Sequence, residues 1–175
     1  MIEQLLEEFY CAYHDENYIT AIIALEEVMR LEGKENFWLY SRLSSCYYEL
    51  RDYKKALEFA EKAFALKPES PLVLWDYASV LIMLNREEEA IQLLKRIQFM
   101  QDDLTIYGFS HPEIDWMKSL KNDANFLIGK AYYTICQDKD SKQHLERYLS
   151  NIKKGINTIY SSELALEYLH RLEVR

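Results

Sequence analysis

Apolar residues recur every three or four positions through most of this chain, and turn-forming residues interrupt them at short intervals. Phe37, Tyr40, Leu43 and Tyr47 share one face of a segment, and Tyr53, Ala56, Ala60, Ala63 and Leu66 share a face of the next. A period near 3.6 marks amphipathic helices, and no stretch alternates with period two over a useful length, so the chain is predicted to be all-α. Turns at Asn17, Gly33, Asp52, Pro68 and Asn85 divide the first hundred residues into helices at 2–14, 18–31, 36–50, 53–66, 70–84 and 87–100. The rhythm then breaks over an insert, 98–121, where Asp102, Asp103 and Gly108 suggest a loop. Ser110-His111-Pro112-Glu113 has the form of a capping box, with proline tolerated in the first turn. From there Ile114, Met117, Leu120, Ala124, Leu127, Ala131 and Ile135 predict one long helix, 111–137, whose first half overhangs its neighbours or folds back on them. Helices at 141–151 and 162–173 follow, separated by Lys153-Lys154-Gly155 and opened by Ser161-Ser162-Glu163. Asn122 and Asp123 are odd choices midway along a helix; they are expected to bond the 151–161 loop, with plain exposure as the alternative.

The helices also repeat as pairs. With Phe37 as position 1, Tyr40, Leu43, Ser44 and Tyr47 fall at 4, 7, 8 and 11, and Tyr53, Ala56, Ala60, Ala63, Leu66 and Pro68 at 17, 20, 24, 27, 30 and 32. Starting again at Pro71, positions 4, 7, 8 and 11 are Leu74, Tyr77, Ala78 and Leu81, and 20, 24 and 27 are Ala90, Leu94 and Ile97. Counting from Ile2 gives Ala12, Tyr18, Ala21, Leu25, Val28 and Leu31 at 11, 17, 20, 24, 27 and 30, although a bulky Phe9 occupies position 8. A fourth copy from Asn122 places Gly129 at 8, Tyr132 at 11, Ser141 at 20, Leu145 at 24 and Tyr148 at 27. Small residues thus recur where the two helices of a pair must approach closely.

This pattern resembles the tetratricopeptide repeat, a helix pair of about 34 residues that buries its apolar face only by stacking on its neighbours. The resemblance implies a right-handed α-α superhelix of about four pairs (2–35, 36–69, 70–100 and 122–151), forming a single solenoid domain over 1–175. The long helix after the insert and a C-terminal capping helix, 162–173, complete it. Trp116, Ser119, Leu120, Asn122 and Asp123, with Gly155, Thr158, Ile159 and Tyr160, also resemble the tails of small bacterial proteins of this family, a likeness that implies no chemistry.

Composition narrows the function. The 175 residues carry a net charge of −8, with only 4 glycines and 3 prolines. Acidic side chains outnumber basic ones 18 to 11 in residues 1–97, against 11 to 10 in 98–175. An acidic first half repels phosphate backbones and anionic lipid, so neither a nucleic acid nor a membrane is the expected partner. Glu26-Glu27 and Glu87-Glu88-Glu89 read as solvated outer helix faces rather than a docking patch. No run reaches the roughly 18 apolar residues of a membrane span. The start is acidic and amphipathic, where a secretory signal would need a basic start and a continuous apolar run, so no such signal is expected. Three cysteines, odd in number and widely spaced, suit a reducing compartment, and the cytoplasm is the expected location.

No catalytic site or cofactor is expected. The four histidines are scattered, no His-x-x-x-His or Cys-x-x-Cys spacing offers a metal site, and no Gly-rich loop could hold a phosphate. Cys46 with a histidine from another helix is the one nucleophile reading, and nothing in the sequence orients the two. Instead, the family resemblance implies a binding groove lined by first-helix positions 2, 5, 6, 9, 12 and 13. In the second pair these are Trp38, Ser41, Arg42, Ser45, Tyr48 and Glu49; in the third, Leu72, Trp75, Asp76, Ser79, Ile82 and Met83. The fourth gives Asp123, Phe126, Leu127, Lys130, Tyr133 and Thr134, and the first contributes Tyr10, Tyr13 and His14. Of these, Tyr10, Tyr13, Trp38, Ser41, Arg42, Ser45, Tyr48, Trp75, Ser79, Lys130 and Tyr133 are the expected peptide-binding residues, unless segment 98–110 fills the groove from within. Tyr47, Tyr53, Tyr77 and Tyr132 fall on packing positions and are expected in the core. Where relatives that grip a carboxylate place Lys and Asn, this chain has Leu6, Tyr10, Ser41 and Ser45, so no such clamp is assembled. The leading expectation is a protein-interaction module or adaptor that binds a peptide or helix of a partner. A secretion chaperone for an extended client segment and a homodimeric structural protein are the alternatives.

Overall fold

A computed structural model describes residues 1–102 and 114–175. Among these the only regular elements are helices: α1 (Ile2–His14), α2 (Tyr18–Glu32), α3 (Phe37–Glu49), α4 (Tyr53–Leu66), α5 (Pro71–Met83), α6 (Glu87–Phe99), α7 (Ile114–Thr134), α8 (Asp138–Lys153) and α9 (Ser162–Glu173). The all-α expectation holds, with boundaries close to those the turn residues set. The expected capping box at 110–113 and most of segment 98–110 lie outside the described residues. The helices divide into two compact units, Met1–Leu84 and Asn85–Arg175. The helices expected as a third pair, α5 and α6, fall one in each unit.

In the first unit α1 and α2 form one hairpin, α3 and α4 a second, and α5 lies against both α3 and α4. Side chains start three of these helices: the carboxamide or carboxylate oxygens of Asn17, Asn36 and Asp52 accept from the backbone N–H of Thr20, Trp38 and Lys55. The hairpin turns are built alike. After α1, Glu16 turns left-handed (φ 57°) and Asn17 N–H donates 2.8 Å to the Ala12 carbonyl; after α3, Arg51 (φ 60°) lets Asp52 N–H reach the Tyr47 carbonyl at 2.9 Å. Where α3 and α4 cross, the buried Ser44 hydroxyl donates to the Ala56 carbonyl at 2.9 Å. Those are positions 8 and 20, the close approach the small residues predicted.

Phe9 does not break the first pair. In α3–α4 a small Ser44 lies beside large Tyr47 and Phe59, whose rings stack 5.5 Å apart at 3°. The α1–α2 hairpin exchanges the sizes: Phe9 is large and fully buried, while Ala12 and Ala24, at the places of Tyr47 and Phe59, are small. Interiors pack to near-crystalline density, so a volume gained at one position has to be given up at the next.

In the second unit α7 forms a hairpin with α8, packs against α6, and is also met by α9, which lies on α8. The turn repeats the first unit's: Cys136 is left-handed (φ 59°) and Gln137 N–H donates 2.9 Å to the Tyr132 carbonyl, ending α7 at Thr134. The helix α8 starts three residues before the expected 141, because Asp138 and Asp140 suit the positive end of a helix dipole. At the crossing Ser141 hydroxyl donates to the Gly129 carbonyl at 2.8 Å, the same two positions with the donor on the other helix. The first half of α7 folds back rather than overhanging. Met117 and Leu120 are buried, and Lys121 Nζ donates to the Met100 carbonyl at 2.5 Å and pairs with Asp102 at 2.7 Å. Residues 122–129 are all buried, so the middle of α7 is enclosed on every side, as an element of a core must be.

A candidate peptide-binding surface on the first helices

In the first unit α1 and α3 lie side by side and run the same way, because Phe9 and Tyr10 meet Trp38 while Tyr13 meets Ser45 further along both helices. Ring centroids of Phe9 and Trp38 are 5.9 Å apart at 83°, those of Tyr10 and Trp38 6.3 Å, and Tyr13 Oη lies 3.2 Å from Ser45 Oγ. Phe9 forms the buried floor of this cluster, Trp38 and Tyr13 are half-buried, and the Tyr10 side remains open with 59% of the residue exposed.

From α3 to α5 the contact is ionic. Ser41 donates to Asp76 Oδ2, and Arg42 Nη2 lies 3.4 Å from the same oxygen. The side chains are 20% exposed for Arg42 and 10% for Asp76. Burial pushes the Asp76 carboxyl up, with the Arg42 charge and the Ser41 hydrogen bond opposing it. A pair this far from water costs desolvation, which offsets much of what its attraction contributes to stability. Arg42 Nε is buried with no hydrogen-bond partner. Tyr48, Trp75 and Ser79 are half-buried, Tyr48 edge-on to Tyr53 at 5.7 Å. Ser41, expected on the open surface, is fully buried by its bond to Asp76.

Burial pushes the Cys46 thiol up to about 12, with the Arg42 charge acting against it, so the sulfur stays protonated at neutral pH. Among the described residues no three His, Cys, Asp or Glu side chains gather as a metal site.

The corresponding face of the second unit is covered by the chain itself. Asp123, Phe126 and Leu127 are buried. The Phe126 ring stacks on Tyr160 at 4.5 Å, and Tyr133, half-buried, meets Tyr168 at 5.1 Å and the Arg175 guanidinium at 4.8 Å. Lys130 is half-buried beside them in sequence. The helix α9 therefore closes this face, the capping role its position suggested. Of the rings expected in the core, Tyr132 is buried, whereas Tyr47, Tyr53 and Tyr77 are half-buried against Phe59, Tyr48 and Phe64. Phe9 as the floor of the aromatic cluster was not foreseen; its signal was the one residue that broke the repeat register.

Comparison with known proteins agrees with this geometry. Residues 47–104 match the model of the tetratricopeptide repeat family. These residues belong to the tetratricopeptide repeats. The chain is 32% identical over 94 residues to the TPR repeat-containing protein YpiA of Bacillus subtilis (strain 168), a match covering 54% of this chain and 22% of that protein. It is 30% identical over 132 residues to anaphase-promoting complex subunit 3 of Schizosaccharomyces pombe, covering 71% of this chain and 19% of the relative. The chain thus spans about a fifth of the length of each. The structure of MamA, residue 41 to the end, from Desulfovibrio magneticus RS-1 superposes with a TM-score of 0.67 at 15% identity, covering 98% of this chain and 93% of that one. At that identity the likeness speaks for the fold. The fold is one that generally mediates protein–protein interaction.

Proposed function

We propose that this chain is a protein-binding module, not an enzyme, and that the first-helix face of residues 1–84 holds a peptide or helix of a partner protein. The observation that carries the reading is the aromatic ledge of Tyr10 and Trp38 over Phe9. Large rings held in place by a buried neighbour, yet left open on one side, bury much area at little further entropic cost when a partner arrives. Tyr13, Arg42, Ser45, Tyr48, Trp75 and Ser79 supply polar tips and further apolar area along the same helices. The three cysteines are free thiols, which suits a reducing compartment such as the cytoplasm. Among the described residues no helix is long and apolar enough to cross a membrane.

The charge of the surface narrows the partner. Glu16 and Glu49 stand at the C-terminal ends of α1 and α3 and form no ion pair among the described residues. Partial burial, then the Glu16 charge, raises the Glu49 carboxyl. Arg42 is already engaged by Asp76, and α3 has no basic residue in its last turn to offset its dipole. A partner segment with apolar or aromatic anchors and a nearby Lys or Arg fits this surface better than an acidic one.

Random-peptide display on the purified chain tests the proposal. Selected peptides are expected to lose about tenfold or more in affinity on Tyr10→Ala and on Trp38→Ala, with Tyr10→Ala leaving stability unchanged because the ring is exposed. Affinity that survives Tyr10→Ala, Trp38→Ala, Tyr48→Ala and Trp75→Ala together overturns it.

A further inference from the structure

The segment 154–161 runs between α8 and α9 and is strapped to α7 by a buried polar chain. Thr158 Oγ1 bonds Asp123 Oδ1, Tyr148 Oη lies 2.8 Å from Thr158 Oγ1, and Tyr148 Oη donates 2.5 Å to the Tyr160 carbonyl. Ile159 N–H donates to Asp123 Oδ1 at 3.2 Å, and the Tyr160 ring stacks on Phe126. One turn of helix away, Asn151 Nδ2 donates 3.0 Å to Asn122 Oδ1.

The hydrogens of this chain can be counted. Three short oxygen–oxygen contacts run from Asp123 through Thr158 and Tyr148 to the Tyr160 carbonyl; Thr158 Oγ1 also accepts from the Tyr160 N–H at 3.2 Å and lies a long 3.5 Å from the Tyr160 carbonyl. An ionised carboxylate and a carbonyl only accept, so Thr158 and Tyr148 together bring two hydrogens for the three contacts. With both spent on the outer contacts, the Thr158 and Tyr148 oxygens face each other at 2.8 Å with lone pairs only. A proton on Asp123 supplies the missing hydrogen, and each of the three short contacts then has a donor. Asp123 is 3% exposed, an environment that also disfavours the charge.

We propose that Asp123 is a proton-operated latch: its neutral carboxyl closes the 154–161 strap onto α7, and its ionisation loosens the strap. Burial independently pushes this carboxyl up to about 6, against the hydrogen bonds from Thr158 and Ile159. Among the described residues, burial and the bonds from Thr158 and Ile159 are what act on it, with no charge among the causes. From α8 the facing group is the Tyr148 hydroxyl, which burial keeps protonated; from α9 the Glu163 charge acts on Tyr148. On α7 itself Lys121 is turned to Met100 and Asp102 and Lys118 is exposed, as is Lys154 just after α8. The sign follows from the raised value. Closure is fully favoured below the ordinary aspartate value of about 3.9 and weakens as pH rises through about 6, above which it stays at its lower level.

Amide hydrogen exchange, corrected for the intrinsic rate at each pH, reads the latch. Protection of the Ile159 and Tyr160 amides is expected to fall about tenfold between pH about 5 and about 8 in the wild type, the change that a value near 6 in the closed and near 3.9 in the open state requires. Asp123→Asn, which keeps the shape and always carries hydrogens, is expected to abolish that dependence, and Thr158→Val to lower protection at both ends. A wild-type strap whose protection is flat with pH, or an Asp123→Asn strap that keeps the wild-type dependence, overturns the latch. A carbon-13 NMR titration of the Asp123 carboxyl decides the matter even if Asp123→Asn folds poorly: an ordinary value near 3.9 sinks the proposal.

Discussion

Single residues carry costs that the repeat tolerates. The hairpin turns place Glu16, Arg51 and Cys136 in the left-handed region, with φ of 57°, 60° and 59°. A Cβ there costs roughly 1–2 kcal/mol, and the turn ending α5 meets the same demand with Asn85, a residue type that suits it. Arg51→Gly is expected to stabilise the chain by about 0.5–1 kcal/mol, the strain relieved less the glycine's extra unfolded-state entropy. Urea unfolding of the two proteins side by side measures it; a destabilised variant means that Arg51 contributes contacts its exposure conceals. The register-breaking Phe9 shows the limit of reading residues singly. Its size makes sense only with Ala12 and Ala24 in view.

Elements meet at the crossing of positions 8 and 20, and the two hairpins with a hydroxyl there bond it to the opposite backbone. Ser44→Ala and Ser141→Ala are each expected to cost about 1 kcal/mol, since the hydroxyl is buried and its acceptor carbonyl loses a partner. Gly129 marks a tighter approach. A Cβ added to it would stand 2.8 Å from Leu145 Cγ and 3.3 Å from the Leu145 backbone nitrogen. Overpacking of that kind costs about 1–3 kcal/mol, and the helix propensity of alanine returns about 1. Gly129→Ala is therefore expected to be neutral to about 2 kcal/mol destabilising, and Gly129→Val clearly worse. Thermal melts of the pair check the order, and a Gly129→Val protein as stable as the wild type would show that α7 and α8 can part without cost.

At the scale of the whole molecule, thiol chemistry reports opening. Cys11 and Cys136 are exposed, whereas Cys46 is fully buried in the first unit with its thiol pushed up to about 12. Ellman's reagent at pH about 8 is expected to label two thiols at once and the third only as fast as residues 1–84 unfold. Immediate labelling of all three means that the α3–α4 core breathes. The described helices, their turns and the crossings of Ser44 with Ala56 and Gly129 with Ser141 were legible in the sequence, because a 3.6-residue period, a capping side chain and a small residue at a crossing act over distances of a few residues. Asn122 and Asp123 stood out too, as polar residues on an apolar helix, and of the two expectations, bonds to 151–161 or exposure, the structure shows the bonds. Which faces stay open was not legible. That Ser41 turns inward to Asp76, that Tyr133 lies under Tyr168 and Arg175, and that Tyr10 remains in solvent depend on residues 35 or more positions away, or on the lack of one. Local pattern determines what each helix must bury; only the packed chain decides what covers it.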